Sequence, residues 1–108
     1  MAKNDLQGAL DLLILKTLSQ LDSMHGYGIV MHIRHVSDGL LIVEEGSLYP
    51  ALHRMEQQGW LRASWAITDY GRKAKWYALT SAGRKQLASR EKNWEQVVKG
   101  VDAILRFA

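Results

Sequence analysis

The sequence contains no cysteine and a single proline among its 108 residues. The lack of cysteine excludes disulfide frameworks, thiolate catalysis and zinc sites built on thiolates, and it suits a protein of the reducing cytoplasm. Internal repeats, low-complexity tracts and long linkers are missing too, so we predict one compact unit. With 47% apolar residues, a chain of this length can bury only a modest core, and a partner subunit would add useful burial.

Long uninterrupted apolar runs are also scarce. The apolar run near the N-terminus, residues 9–21, is broken by Asp11 and Lys16. It has neither a basic segment before it nor a small-residue cleavage site after it. We therefore expect neither a signal peptide nor a membrane span.

Acidic residues are slightly fewer than basic ones, 11 against 14, which gives a net charge of +3. The distribution matters more than the total, because residues 61–85 hold a single acid, Asp69, and six basic residues. Those six are Arg62, Arg72, Lys73, Lys75, Arg84 and Lys85. This half of the chain is the predicted electrostatic footprint for a polyanion.

Residues 46–59 carry the start and stop signals of a helix that we interpret as a DNA-recognition helix. Gly46 and Ser47 are N-cap residue types, and Pro50 suits a first turn because its missing N–H costs nothing there. Gly59 suits the position just after the last turn.

The two faces of this helix differ in character. Leu48, Leu52 and Met55 recur at helical spacing and are predicted to face the core. The outward face then consists of Ser47, Tyr49, His53, Arg54 and Gln57. Such a face can hydrogen-bond phosphates and base edges, although for this segment alone an ordinary solvated face is an equal alternative.

Residues 5–22 have the periodicity of a helix with apolar side chains on two sides. One stripe comprises Leu6, Leu10, Leu13, Ile14, Leu18 and Leu21. The other side carries Ala9, Leu12 and Leu15. The economical cover for that second side is another copy of the chain, and the alternative is a helix wrapped on both sides within one chain.

A second, shorter helix is predicted between glycine-containing boundaries at residues 25–28 and 37–39. Its apolar positions are Ile29, Val30, Ile33 and Val36. The apolar run at residues 40–43 is too short for a helix, and we interpret it as a minimal strand.

Two further runs predict a β-hairpin. Residues 60–67 alternate, with Leu61, Ala63, Trp65 and Ile67 on one face. The turn region at residues 68–74 contains a glycine and cations, and residues 75–79 supply the second strand. The hairpin should therefore have a basic tip.

The last segment predicts a long helix over residues 82–107, capped by Thr80 and Ser81 and roughly 39 Å in length. Its apolar stripe comprises Leu87, Trp94, Val97, Val98, Val101, Ile104, Leu105 and Ala108. Part of this stripe has coiled-coil spacing over about two heptads. A helix of this length extends beyond a small three-helix core, so its apolar end requires a partner surface.

The order helix, helix, short strand, helix, hairpin, long helix is the layout of a winged helix-turn-helix. The predicted fold class is thus mainly α with a β-hairpin wing (α+β). Residues 1–80 would form the winged helix-turn-helix DNA-binding domain, and residues 81–108 the C-terminal dimerisation helix. The recognition helix, the basic wing and the uneven charge agree on binding to double-stranded DNA.

Four motifs give most of the chain a resemblance to the PadR-type transcriptional regulators. They are LIL at residues 13–15, HGYGI at 25–29, EGSLYPAL at 45–52 and GRKAKWYALT at 71–80, followed by a glycine at 83. Together these motifs are highly specific. The single C-terminal helix resembles the short branch of that family.

The resemblance implies a homodimeric repressor, dimerised through its first and last helices and bound to a pseudo-palindromic operator. It implies DNA contacts from Tyr27, Ser47, Tyr49 and Pro50, and from Arg72, Lys73 and Lys75 in the wing. Ala74 stands where many relatives have another base, so a weaker wing contact is expected. To these we add His53 and Arg54 from the outward face of the recognition helix. The predicted dimer interface comprises Leu12, Leu15, Trp94, Val97, Val98, Val101, Ile104 and Leu105.

Trp94 matches a tryptophan that stacks on flat aromatic drugs at the dimer interface of a multidrug-responsive member of the family. The implied effector is a small planar hydrophobic molecule bound by Trp94, Leu12 and Val98. That member has an acid where this chain has Val98, so a preference for cationic drugs does not carry over. Plain dimer packing is the alternative for Trp94, because a large aromatic in a heptad-like stripe is usually core.

Other functions find less support. We predict no enzyme and no cofactor, since the sequence has no HExxH, no nucleophile elbow and no glycine-rich phosphate loop. His32 and His35, with His25, come nearest to a metal site, but such a pair without a carboxylate or thiol is more typical of a solvated face. The main rival is a winged helix that binds protein without an effector. Glu44 and Glu45 favour it, although glutamate near a helix N-terminus is also stabilised by the helix dipole.

Overall fold

The described chain folds into four helices and a three-stranded antiparallel sheet, the predicted winged α+β architecture. The computed structural model describes the backbone of residues 2–107 and the side chains of residues 9–107. The elements are α1 (Ala2–Gln20), β1 (Met24–His25), α2 (Gly26–Val36), α3 (Glu45–Gln57), β2 (Leu61–Ile67), β3 (Lys73–Leu79) and α4 (Ser81–Arg106).

The core lies around α1, which contacts α2, α3, β3 and α4. Apolar side chains at helical spacing meet there, and the largest fully buried ones are Ile14, Leu15, Leu18, Ile29, Leu48, Leu52 and Met55. The predicted core positions of the recognition helix are thereby confirmed, as are Leu10, Ile14 and Leu18 of α1. Leu13 and Leu21, predicted in the same stripe, are only half-buried. Leu6 lies outside the described side chains.

No helix in the described part of the chain has both the length and the hydropathy needed to cross a membrane.

Leu15 requires a correction. It was expected at a dimer interface, but its own chain buries it completely. The reason is that α1 is covered from several sides within one chain, so the wrapped alternative is right at this position. Leu12 and Ala9 are only half-buried.

The sheet has the strand order β1-β3-β2. The wing strands pair from Leu61 opposite Leu79 to Ile67 opposite Lys73. The third strand is Met24–His25, which pairs with Tyr77 and Trp76 of β3. The prediction of a strand at residues 40–43 is wrong. The edge of β3 is occupied by β1 instead, and within the 40–43 segment only Val43 is buried in the core.

The recognition helix starts earlier than predicted. Its N-cap is Glu44, without a side-chain cap hydrogen bond, so Pro50 lies inside the helix and not in its first turn. The predicted end is confirmed: the N–H groups of Gly59 and Trp60 donate to the carbonyls of Glu56 and Met55, both at 3.0 Å. This is the hydrogen-bond pair of a Schellman C-cap.

The long helix α4 begins as predicted at Thr80, whose Oγ1 accepts a hydrogen bond from the N–H of Gly83 at 3.0 Å. The same hydroxyl donates to the carbonyl oxygens of Gly59 and Trp60 at 2.7 and 3.0 Å. The start of α4 is therefore fastened to the end of α3. From residue 92 onward every described side chain of α4 is exposed, and the molecule is 57 Å long. Ala108 lies outside the described residues.

The surroundings of two glycines of α4 predict opposite effects on stability when each is replaced by alanine. A Cβ at Gly83 would collide with the backbone carbonyl of Trp60, whereas a Cβ at Gly100 would meet nothing within 4 Å. We expect Gly83→Ala to lower the free energy of unfolding by roughly 1–3 kcal/mol through overpacking. Gly100→Ala should raise it by up to about 1 kcal/mol through helix propensity. Chemical denaturation measures both, and equal shifts in the two variants would contradict the predicted contact.

Candidate nucleic-acid interface

A cleft of about 590 Å³ separates the wing from the starts of α2 and α3. Its walls carry five Tyr and Trp side chains and three cations. These are Tyr27, Tyr49, Trp65, Tyr70, Tyr77, Arg72, Lys73 and Lys75. The structure therefore brings together five of the predicted DNA-binding residues, from three separate parts of the sequence, around one concave surface.

The outward face of α3 lies beside this cleft. Ser47, Tyr49 and His53 are exposed, as their helical spacing predicts, and Pro50 is exposed as well. Of these four residues, Tyr49 alone lines the cleft itself. The face is thus an exposed ridge that runs along the helix next to a basic concavity.

Tyr49 sits at the boundary between ridge and cleft, 44% exposed. Its ring packs on the backbone of Gly26, where a Cβ would lie 2.6 Å from the ring carbon Cε1. Partial burial, and to a lesser degree the nearby carboxylate of Glu45, raises the pKa of Tyr49. The phenol is therefore a protonated donor at neutral pH, and its ring lies directly against Gly26.

The wing holds its cations at a tight turn. Thr68 N–H donates to the Arg72 carbonyl at 2.7 Å, and Thr68 Oγ1 accepts from the Arg72 N–H at 3.2 Å. Arg72 and Lys73 are exposed. The ammonium of Lys73 lies 5.7 Å from the ring centroid of Trp65, a cation–π distance. These two cations remain available to an anion.

Lys75 is less available than predicted. Its Nζ lies 2.9 Å from Oε1 of Glu56 on α3, and the pairing with that carboxylate raises the pKa of Lys75. The ammonium also lies 5.8 Å from the ring centroid of Tyr77. Part of its charge is therefore already compensated within the chain, and Lys75 ties the wing to α3.

Arg54 is likewise engaged. Its side chain is half exposed on α3, but Nη1 and Nη2 donate to the two carboxylate oxygens of Asp11 at 2.9 and 2.8 Å. The hydrogen bond to Asp11 raises the pKa of Arg54. The Arg54 side chain, which was predicted to bind DNA, is thus paired with a residue of α1 and does not line the cleft.

The sequence analysis assigned no binding role to eight residues that line the cleft, among them Glu45, Trp65, Tyr70 and Tyr77. Alternation placed Trp65 on the same face of its strand as Leu61, and Leu61 is buried. The hairpin, however, extends past the core, so Trp65 is 63% exposed. The sequence signal that could have identified Trp65 as a binding residue was its position near the basic tip of the predicted hairpin.

The residues predicted for an effector and a dimer interface lie apart from this cleft. Trp94, Val97, Val98, Val101, Ile104 and Leu105 are between 40% and 77% exposed on α4. Leu12 is half-buried on α1, which packs against α4. Among the described residues, no group of three or more His, Asp or Glu side chains is placed to hold a metal ion.

Comparison with known proteins agrees with this geometry. Residues 14–89 match the model of the "Transcriptional regulator PadR-like family". An uncharacterized protein X of Lysinibacillus sphaericus is 28% identical over 97% of this chain and 96% of its own length. A transcriptional regulator from Clostridium thermocellum has a similar structure, with a TM-score of 0.86 and 25% identity over 95% of this chain and 99% of that one.

A PadR-like transcriptional regulator from Bacillus cereus is similar over 100% of this chain and 98% of that one, with a TM-score of 0.75 and 28% identity. The family match covers most of the chain and includes α2, α3 and the whole wing. The two solved structures are of transcriptional regulators. The chain therefore belongs to the PadR-like family of transcriptional regulators and is a DNA-binding transcription regulator.

Proposed function

We propose that this protein is a cytoplasmic homodimeric repressor that binds a pseudo-palindromic operator and is released by a planar hydrophobic effector. The observation that carries the DNA-binding part is the cleft with free cations at its wing and an exposed polar helix face beside it. In this proposal α3 enters the major groove, where Ser47, Tyr49 and His53 meet base edges or phosphates. The wing lies on the sugar-phosphate backbone of the DNA beside that groove.

The wing supplies most of the sequence-independent attraction. Arg72 and Lys73 are exposed and have no carboxylate partner in the described chain, whereas Lys75 is paired with Glu56. Trp65 and Tyr70 add exposed aromatic surface next to these cations. The contact therefore combines phosphate pairing, which salt weakens, with apolar contact, which salt does not.

The salt dependence of binding tests this division. Arg72→Ala should lower affinity for every duplex alike and reduce the slope of log K against log salt by about 0.9, the contribution of one neutralised phosphate. Lys99→Ala, which removes an equal charge from exposed α4, is the matched control and should leave the slope unchanged. A slope that is equally steep in Arg72→Ala would remove this residue from the contact. Failure of the wild type to bind random duplex DNA in low salt would favour the protein-binding alternative.

Dimerisation is supported by the amount of exposed surface. The single chain exposes 7729 Å², whereas a compact 12.2 kDa monomer exposes about 6,100 Å² by the usual size scaling. The surplus exceeds the roughly 800 Å² that each partner loses in a standard interface. Exposed valines, isoleucine and leucine of α4 account for part of it, and a two-fold dimer would bury them while setting two recognition helices about 34 Å apart.

Leu105 tests the dimer. It is 76% exposed on the apolar face of α4, so Leu105→Glu should leave the single-chain fold intact and produce monomers or insoluble chain. Lys92 lies on the opposite side of the same helix at 100° per residue. Lys92→Glu should therefore stay dimeric. Sedimentation at micromolar concentration measures both variants, and a wild type that is a stable monomer would overturn the dimer.

The effector site is proposed at Trp94, which is 46% exposed on α4, together with Val98 of the same helix and the half-buried Leu12 of α1, a helix that packs against α4. Two indoles facing each other across a two-fold axis would form an apolar slot for a flat aromatic molecule. Stacking adds about 0.5–1.5 kcal/mol per ring pair beyond area burial. Ligand binding would release DNA only if the slot favours a dimer spacing that misaligns the recognition helices.

Calorimetry against a panel of planar dyes tests Trp94. We expect wild type to bind at least one dye and Trp94→Ala to lose that binding while it remains dimeric, because the stacking surface is gone. Trp65→Ala is a suitable control, since it removes an exposed indole from the wing and should retain the affinity. Equal affinities in wild type and Trp94→Ala would leave Trp94 as interface packing.

A further inference from the structure

Asp11 is the one charged residue in the buried core of the described chain. Two other helices bring cations to its carboxylate. Arg54 of α3 donates to both oxygens at 2.8 and 2.9 Å, and Nη1 of Arg90 on α4 lies 3.5 Å from Oδ2. Arg90 is held in turn by a hydrogen bond to Gln86 at 3.2 Å and lies 5.2 Å from the ring centroid of Trp60. One carboxylate on α1 thus joins three helices.

The energetic balance of such a pair indicates a geometric role. Removing a carboxylate from water is costly, and replacing a buried ion pair by apolar residues is often neutral or stabilising, so stability alone is a poor reason for this arrangement. A bidentate arginine–carboxylate pair, in contrast, allows essentially one mutual orientation of its two planes. Leu48, Leu52 and Met55 bury α3 against the core, but apolar contact is non-directional.

We infer that Asp11 is a positioning residue for DNA recognition, which fixes the orientation of α3 on α1 through Arg54, and that Arg54 serves this pair and not a DNA phosphate. The inference rests on the proposed DNA-binding role of α3. It also assigns α1 a second task, since the helix proposed to carry part of the dimer interface holds the recognition helix at a set angle.

Binding to two kinds of DNA separates positioning from simple stability. The probes are a duplex that the wild-type protein selects from a randomised library and a duplex of random sequence. Asp11→Asn keeps the size of the side chain but removes its charge, and the residue is too deeply buried to touch DNA. The ratio of selected to random affinity should fall about tenfold, the size of one lost base-pair contact. Affinity for random DNA should not fall, because every cation remains.

A purely structural role predicts a different result. If Asp11→Asn only unfolds part of the population, both affinities fall by the same factor, as circular dichroism at the assay temperature would show. An unchanged ratio in folded protein overturns the inference. Failure of the wild type to select any duplex would instead refute the proposed function, so the two failures are distinguishable.

Arg54 is tested by two substitutions that differ in charge. Arg54→Lys keeps a cation but loses the two-pronged pairing, so it should lower the selected-to-random ratio as Asp11→Asn does. Arg54→Met should lower the ratio equally and leave the salt slope as in wild type. If Arg54 binds phosphate, Arg54→Lys will retain the ratio and Arg54→Met will reduce the slope by about 0.9, which overturns the assignment.

A double variant guards against loss of folding in the single ones. Asp11→Leu combined with Arg54→Met removes both members of the pair together, so neither an unpaired Asp11 carboxylate nor an unpaired Arg54 remains. We expect this variant to melt close to wild type and still to show the reduced ratio. A wild-type ratio in the folded double variant would mean that apolar packing alone orients α3.

Discussion

The pairing of Asp11 with Arg54 is the constraint on which the placement of the recognition helix depends. The apolar core holds α1, α2 and α3 together, but it would tolerate small rotations of α3 with little change in buried area. The ion pair restricts those rotations, and Arg90 brings α4 to the same carboxylate. The DNA-facing helix, the central helix and the long helix are therefore related through one buried charge, and the ridge formed by Tyr49 and His53 takes its direction from it.

The basic residues of the proposed interface divide into two groups by their partners. Arg54 and Lys75 are paired with acids of their own chain, Asp11 and Glu56, and each pair joins two elements. Arg72 and Lys73 have no carboxylate partner within the described residues. The net charge of +3 does not distinguish these two groups. The paired cations fix the shape of the surface, whereas the unpaired ones are available to attract a polyanion.

Periodicity predicted what depends on neighbours in the sequence. The buried face of α3, its end at Gly59, the cap of α4 at Thr80 and the wing strands were all confirmed. Features that depend on distant partners were missed. A two-residue strand at Met24–His25 has no pattern of its own and exists because β3 offers an edge. Arg54 and Asp11 are 43 residues apart, and helical spacing indicates which side Arg54 faces but not which carboxylate it reaches. Leu15 was misassigned for the same reason.

The junction between α3 and α4 explains how events at a subunit interface could reach DNA. Thr80 donates to the carbonyls of Gly59 and Trp60, which directly follow α3, and Gly83 lets α4 pass directly over Trp60. The direction of α4 relative to the end of α3 is therefore set by hydrogen bonds and close packing. In the proposed dimer, a small change in the angle between two α4 helices would move the recognition helices as rigid attachments. A ligand between the subunits then needs only to prefer one angle over another, and its difference in affinity for the two limits how far DNA binding can shift.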